Sequence, residues 1–241
     1  MYKNISYPIF IDSAKRSSGD INDSNYVING LPNNDNEYSL LLKEFIISND
    51  FYNINQFNNS FILGVTSIDA ITIPENQYNA TQYINYIKNN VGSLGITGFS
   101  ASFDSHAVKI TYTNQTGSTI YLKKTNDKQK YLGLITDNVY SINNNDTLIT
   151  DYKVDFSGTK KIVIESSIPV ETFNLDNRSK NRLDEIYITE DFENEITYKN
   201  GYIIETNTSN ISDLNIRLYD ENHDPLQTDS NYFLKLLFFN D

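Results

Sequence analysis

The sequence predicts an all-β fold, a sandwich or a barrel with one short helix. Three observations predict it. Short segments with period-2 alternation recur along the chain, only one stretch has a helical period, and the chain closes on a segment too apolar to stand free. Near that end, Leu214, Ile216 and Leu218 alternate with Asn215, Arg217 and Tyr219, the pattern of a half-buried strand. The Asp-Glu-Asn-His-Asp-Pro run at 220–225 cannot extend that strand, because Pro225 has no N–H for a ladder and the acidic run favours a turn. Residues 232–239 (Tyr-Phe-Leu-Lys-Leu-Leu-Phe-Phe) are apolar nearly throughout. Such a strand is expected buried or paired deep in a sheet; exposed, it would invite aggregation.

In chain order, Tyr7, Pro8, Ile9, Phe10 and Ile11 read as a strand, followed by a polar loop at 12–19. Residues 38–48 read as a long strand, and 60–66 with 69–73 as a hairpin. The helix is expected over 79–92, where Ala80, Tyr83, Ile84, Ile87 and Val91 share one face, Asn79 can cap the start and Gly92 can end it. Its expected place is over an edge or end of a sheet. Residues 96–103 and 107–113 read as a second hairpin, with Val108, Ile110 and Tyr112 alternating against Lys109, Thr111 and Thr113. Later strands are expected at 161–165, 183–189 and 202–206, before the two terminal ones. Strands this short with so little helix argue against a parallel α/β fold. The polar stretches at 137–151 and 174–182 read as long loops of one domain spanning 26–241. Residues 1–25 read as a polar N-terminal arm that orders on assembly. No internal repeat is visible.

Composition narrows the chemistry. The 241 residues suffice for one large β domain or two small ones. With no cysteine there is no disulfide, thiolate or Cys-based metal site, and His106 and His223 alone cannot supply a structural zinc set. A net charge of −12 argues against direct nucleic-acid binding. No apolar run approaches the ~20 residues of a membrane helix, and no charged-then-apolar leader follows Met1, so no secretory signal is expected. The Asn-x-Ser/Thr triplets at Asn79 and Asn114 arise by chance in so Asn-rich a chain.

Candidate sites are few. Asp20, Asn22 and Ser24 have the 1, 3, 5 spacing of a calcium loop, but Asn25 and Leu31 stand where Gly and Glu are needed. A polar turn is the expectation there, and an acidic turn at Asp220, Asn222 and Asp224. His106 follows Asp104 and Ser105 in a hairpin turn; neither it nor His223 stands where a nucleophile would need a base. Asp184-Glu185 and Glu190-Asp191 are adjacent pairs, which on a strand point to opposite faces. The segment Gly95-Ile96-Thr97-Gly98 lacks the lysine and following helix of a phosphate loop. No catalytic, cofactor-binding or metal residue is therefore expected. Eighteen tyrosines without tryptophan supply amphipathic faces that suit interfaces or sugar platforms.

Ordered landmarks along the whole chain resemble the penton (minor capsid) proteins of virophages and polinton-like viruses, and more distantly minor capsid proteins of giant DNA viruses. They are Ile11-Asp12-Ser13-Ala14-Lys15-Arg16-Ser17-Ser18-Gly19; Lys43-Glu44-Phe45-Ile46-Ile47; Phe61-Ile62-Leu63; and Ile71-Thr72-Ile73-Pro74-Glu75-Asn76-Gln77-Tyr78 before the helix. Tyr131-Leu132-Gly133-Leu134 and the closing Ile216-Arg217-Leu218-Tyr219-Asp220-Glu221 with Pro225 complete the order. Departures are His223 where the family often has Gly, Ile135 where a Phe usually follows the Leu-Gly element, and Phe233, Phe238 and Phe239 as the final-strand aromatics. The resemblance implies a single jelly-roll sandwich and a non-enzymatic structural role. It implies a homopentamer at the vertices of an icosahedral capsid, in contact with the major capsid protein, in virions assembled in the host cytoplasm. A carbohydrate-binding or receptor-binding β-sandwich is the alternative function, and a β-sandwich hydrolase a third.

Overall fold

The computed structural model describes residues 5–29, 31–32, 37–66, 69–92, 95–169, 181–199, 201–206 and 208–240. Its first strands are β1 (Ile5–Asp12), β2 (Ser18–Asp20), β3 (Asp23–Val27) and β4 (Tyr38–Ser48). There follow β5 (Ser60–Gly64), β6 (Ala70–Thr72), α1 (Ala80–Val91), β7 (Phe99–Asp104), β8 (Lys109–Asn114), β9 (Ile120–Lys123), β10 (Val139–Ile142) and β11 (Thr147–Ile149). The last are β12 (Lys161–Ser166), β13 (Arg182–Tyr187), β14 (Glu195–Lys199), β15 (Ile203–Glu205), β16 (Asp213–Tyr219) and β17 (Phe233–Asn240). Contacts divide the chain into two compact units, one of residues 1–51 and 159–241, the other of 52–158.

The first unit is a jelly roll, and its strand order shows it. One sheet runs β1-β17-β4-β14, with β15 also on β4; the other runs β13-β12-β16-β3-β2, and every pairing is antiparallel. If β14 and β15 count as one interrupted strand and β2 as an added edge, eight strands lie in the orders 1-8-3-6 and 2-7-4-5, the jelly-roll arrangement. Alternation puts Tyr38, Leu40, Leu42, Phe45 and Ile47 of β4 and Leu234, Leu236 and Phe238 of β17 into the core, opposite Ile162, Ile164, Leu214, Ile216 and Leu218. A register shift between Lys235 and Leu236 keeps both strands' apolar positions inward despite the extra residue on β4. Two polar links hold core side chains together. The buried hydroxyls of Tyr26 and Tyr232 lie 3.0 Å apart, and Tyr198 of β14 donates to Asp184 of β13 at 2.7 Å.

The second unit has its own core, gathered from the sheets β10-β9-β5-β6 and β11-β8-β7 and from α1. The helix buries the expected face, Ala80, Tyr83, Ile84, Ile87 and Val91. Its start is held by a capping box, in which Asn79 accepts from the Gln82 N–H and Gln82 accepts from the Asn79 N–H. Tyr83 and Tyr112 meet through their hydroxyls at 3.2 Å. Burial pushes both phenols above their usual range. Gly133 has φ +62°, and a Cβ there would lie 2.7 Å from the Tyr152 carbonyl, so this position requires glycine. Asn53 closes the unit's neck: its Nδ2 donates to the carbonyls of Tyr78 (2.6 Å) and Phe156 (2.7 Å), and its Oδ1 accepts from the Tyr78 N–H (2.9 Å).

Three expectations change. Residues 26–241 do not form one domain with loops, because residues 52–158 are inserted between the third and fourth jelly-roll strands around a separate core. The stretch at 137–151 is no plain loop; it carries the edge strands β10 and β11. Most of the loop expected at 174–182 lies outside the described residues. Among the described residues, 5–25 are not an arm: β1 pairs along its whole length with β17, and β3 pairs with β16. Ser13 is fully buried, accepting from the Tyr232 N–H and donating to Asn231. The polarity of 12–25 reflects a hairpin whose side chains bond its own backbone, as Ser24 does to Asp20 and Ile21.

Candidate functional site

The residues singled out from sequence do not converge. Asn22 donates to the Leu226 carbonyl at 3.0 Å, and Ser24 is buried on local carbonyls, so the Asp20, Asn22 and Ser24 spacing is a hairpin turn. Asp220 Oδ1 accepts the N–H groups of Asn222 and Asp224 at 2.8 and 2.9 Å, and Oδ2 accepts from the Asn222 amide. Those bonds close the acidic turn and occupy the carboxylate. Burial nonetheless raises the Asp220 carboxyl above its ordinary range. His223 sits at φ +63° with its ring stacked 4.3 Å over Tyr219, and its Nε2 is 3.8 Å from the buried Glu165. His106 is exposed, 3.9 Å from Asp104; backbone N–H groups of Ala107 and His106 hold the Asp104 carboxyl below its usual value.

The adjacent acids separate as alternation requires. Glu185 meets Lys161 at 2.9 Å and Arg182, whereas Asp184 meets Tyr198. Burial raises both members of that second pair, Tyr198 strongly. Glu190 and Asp191 are exposed in the turn before β14. Among the described residues no three His, Asp or Glu side chains group to hold a metal ion, and no helix is long and apolar enough to cross a membrane.

What stands out is a sheet face. On the side of the β1-β17-β4-β14 sheet away from the core, cross-strand partners form four rows. Asp12, Phe233, Ile46 and Thr197 make the first; Phe10, Lys235, Glu44 and Lys199 the second. Pro8, Leu237, Leu41 and Ile203 make the third; Ser6, Phe239, Ser39 and Glu205 the fourth. Phe10 is 61% exposed and Ile203 65%, with half-buried Phe233, Leu237, Leu41, Ile46 and Phe239 between them. The charged row is ordered: Lys235 lies over the Phe10 ring at 5.0 Å, and Lys199 meets Glu44 at 3.3 Å. The opposite sheet turns charge outward instead, with Lys161, Glu185 and Arg182 in one cluster and Arg217 3.7 Å from Asp23. Exposed and half-buried apolar side chains thus lie side by side across this face, on both sides of the charged row. Its signal in the sequence is that both alternating sets of β17 are apolar.

The charge is as uneven as the surface. The inserted unit carries seven lysines against eight acids, so nearly all the net charge of −12 belongs to the jelly roll.

No family model matches the chain, and no curated protein matches it. Among solved structures, a crystal structure of the selenomethionine-labelled mavirus penton protein is similar over 99% of each chain, with a TM-score of 0.48 and 18% identity. It is by the strand order of its own two sheets that this chain is a jelly-roll protein.

Proposed function

We propose that the chain is a structural capsid protein that forms the pentameric vertex of an icosahedral double-stranded DNA virus or virophage. The observation that carries this reading is a single jelly roll whose β1-β17-β4-β14 sheet turns an apolar face outward. Jelly rolls serve capsids, lectins and small-molecule enzymes alike. A sheet face whose charged side chains pair with one another or lie on a ring, with apolar groups on both sides, favours packing over chemistry. The landmarks from Ile11 to Pro225 point the same way. In this reading five copies close a ring through heterologous contacts, the major capsid protein surrounds them, and neither cofactor nor nucleic acid takes part. The protein's place is the virion, after assembly in the host cytoplasm.

Native mass spectrometry of the purified protein, alone and with the major capsid protein, tests it. A closed five-copy species, or one that forms when the capsid protein is added, is expected. A monomer under both conditions would overturn the reading. A carbohydrate-binding role has one observation in its favour: Tyr152, Tyr187 and Tyr202 are 61, 71 and 80% exposed. Binding on a glycan array that is lost on changing these tyrosines to Ala would favour that second reading.

A further inference from the structure

We infer that the outer face of the β1-β17-β4-β14 sheet docks on the same face of a second copy of this chain, about a twofold axis running between β17 and β4. This goes beyond the vertex reading: it commits the same face to a twofold partner and leaves the ring contacts of that reading to other surfaces. The order of residues within the rows carries it. A twofold axis lying between the two faces, along the strand direction, sets each row against itself with the strand order reversed. In the charged row, Lys235 of one copy then faces Glu44 of the other, and Glu44 faces Lys235. Phe10 faces Lys199, so the Lys-on-ring contact already made within one chain by Lys235 recurs between chains. In the neighbouring rows Leu237 faces Leu41, Pro8 faces Ile203, and Phe233 faces Ile46.

One operation thus matches opposite charges in the row that has them and apolar groups in two rows beside it, which is the requirement for an isologous contact. Shifting the axis by half a strand spacing, onto β17, would set Lys235 against Lys235 and Phe10 against Glu44. Shifting it onto β4 would set Glu44 against Glu44. The charged row therefore fixes the register that the apolar rows alone would leave loose. Aligned sheets packed face to face about 10 Å apart have room for these side chains to interdigitate. The other sheet, with its outward salt bridges, offers no comparable apolar match.

Sedimentation equilibrium over a dilution series of the full-length protein tests the pairing. The wild type is expected to show a reversible twofold step. Lys235→Glu and Glu44→Lys, each placing like charges face to face, are expected to weaken that step by about tenfold or more. The double exchange, which restores opposite charges, is expected to return it to within about threefold of wild type by double-mutant logic. Circular dichroism melts confirm that the exposed substitutions leave the fold intact. A protein that shows no twofold step at any concentration overturns the inference. So does an association that neither single change weakens, or one that the double exchange fails to restore. A five-copy ring indifferent to all three variants would support the vertex reading and remove this one.

Discussion

Asn53 offers a direct way to separate the two units. It is 8% exposed and satisfies three backbone groups through its side chain: the carbonyls of Tyr78 and Phe156 and the Tyr78 N–H. Asn53→Ala leaves all three without that partner at a largely buried site. At roughly 1 kcal/mol per lost hydrogen bond the cost is about 3 kcal/mol, rising toward about 5 kcal/mol if the stranded groups bear their full desolvation. These groups all belong to residues 52–158, so the loss should fall on the inserted unit. Native-state amide exchange read by mass spectrometry resolves it. Protection in β5, β8 and β9 should drop by about a hundredfold, since each ~1.4 kcal/mol is tenfold. Protection in β4 and β17 should hold. A drop below about tenfold, or an equal drop in both units, would refute the reasoning about the neck.

Three further outcomes follow from the fold. Leu236→Ala, at a fully buried position of β17, should cost about 2–5 kcal/mol in urea unfolding, whereas Leu237→Ala on the outer face should cost under about 1 kcal/mol; equal costs would contradict the facing assigned to this strand. Deleting residues 1–19 should yield unfolded or aggregated protein, because it strips β1 from β17 and removes Ser13; a soluble truncation with the wild-type melting point would show that β1 is dispensable. The Asp184 carboxyl is raised chiefly by burial, so the folded state holds its proton more tightly than the unfolded chain does. The resulting stability is fully present below the ordinary carboxylate value of ~3.9 and is lost as pH rises through the raised folded value. Relative to Asp184→Asn, which does not titrate there, wild type should therefore lose stability as pH climbs from about 4 towards neutrality; a difference in urea midpoint that is flat with pH would be the contrary result.

Much of the fold was legible because alternation is a local signal. The long strand at 38–48, both early hairpins, the helix with its Asn79 cap and the closing strand lie where their patterns put them. Strands β9, β11 and β14 escaped notice because they are only three to five residues long, too short for alternation to stand out from the polar segments beside them. The boundary between units was illegible for a physical reason. The difference in charge between the units shows only once their bounds are known, and a β insert in a β scaffold repeats the same period. The outer apolar face was half legible. The apolar run at 232–239 announced a strand with little polar surface, but only the register shows that Phe233, Leu237 and Phe239 turn away from the core.

The place of the insert bears on how the chain folds. Residues 52–158 gather around a core of their own and can form as soon as they are synthesised, whereas the jelly roll cannot. Ser13 bonds Asn231 across 218 positions, and Tyr26 meets Tyr232 across 206. β1, β3 and β4 are thus the first strands made, yet they wait for β16 and β17, the last. Pairing at such separations carries the loop-closure entropy that slows folding. A prefolded insert lowers that entropy, because it turns more than a hundred flexible residues between β4 and β12 into one body with a pinned neck. Until β17 arrives, the apolar edge of β4 stands open, and the nascent chain's most vulnerable interval is its longest one.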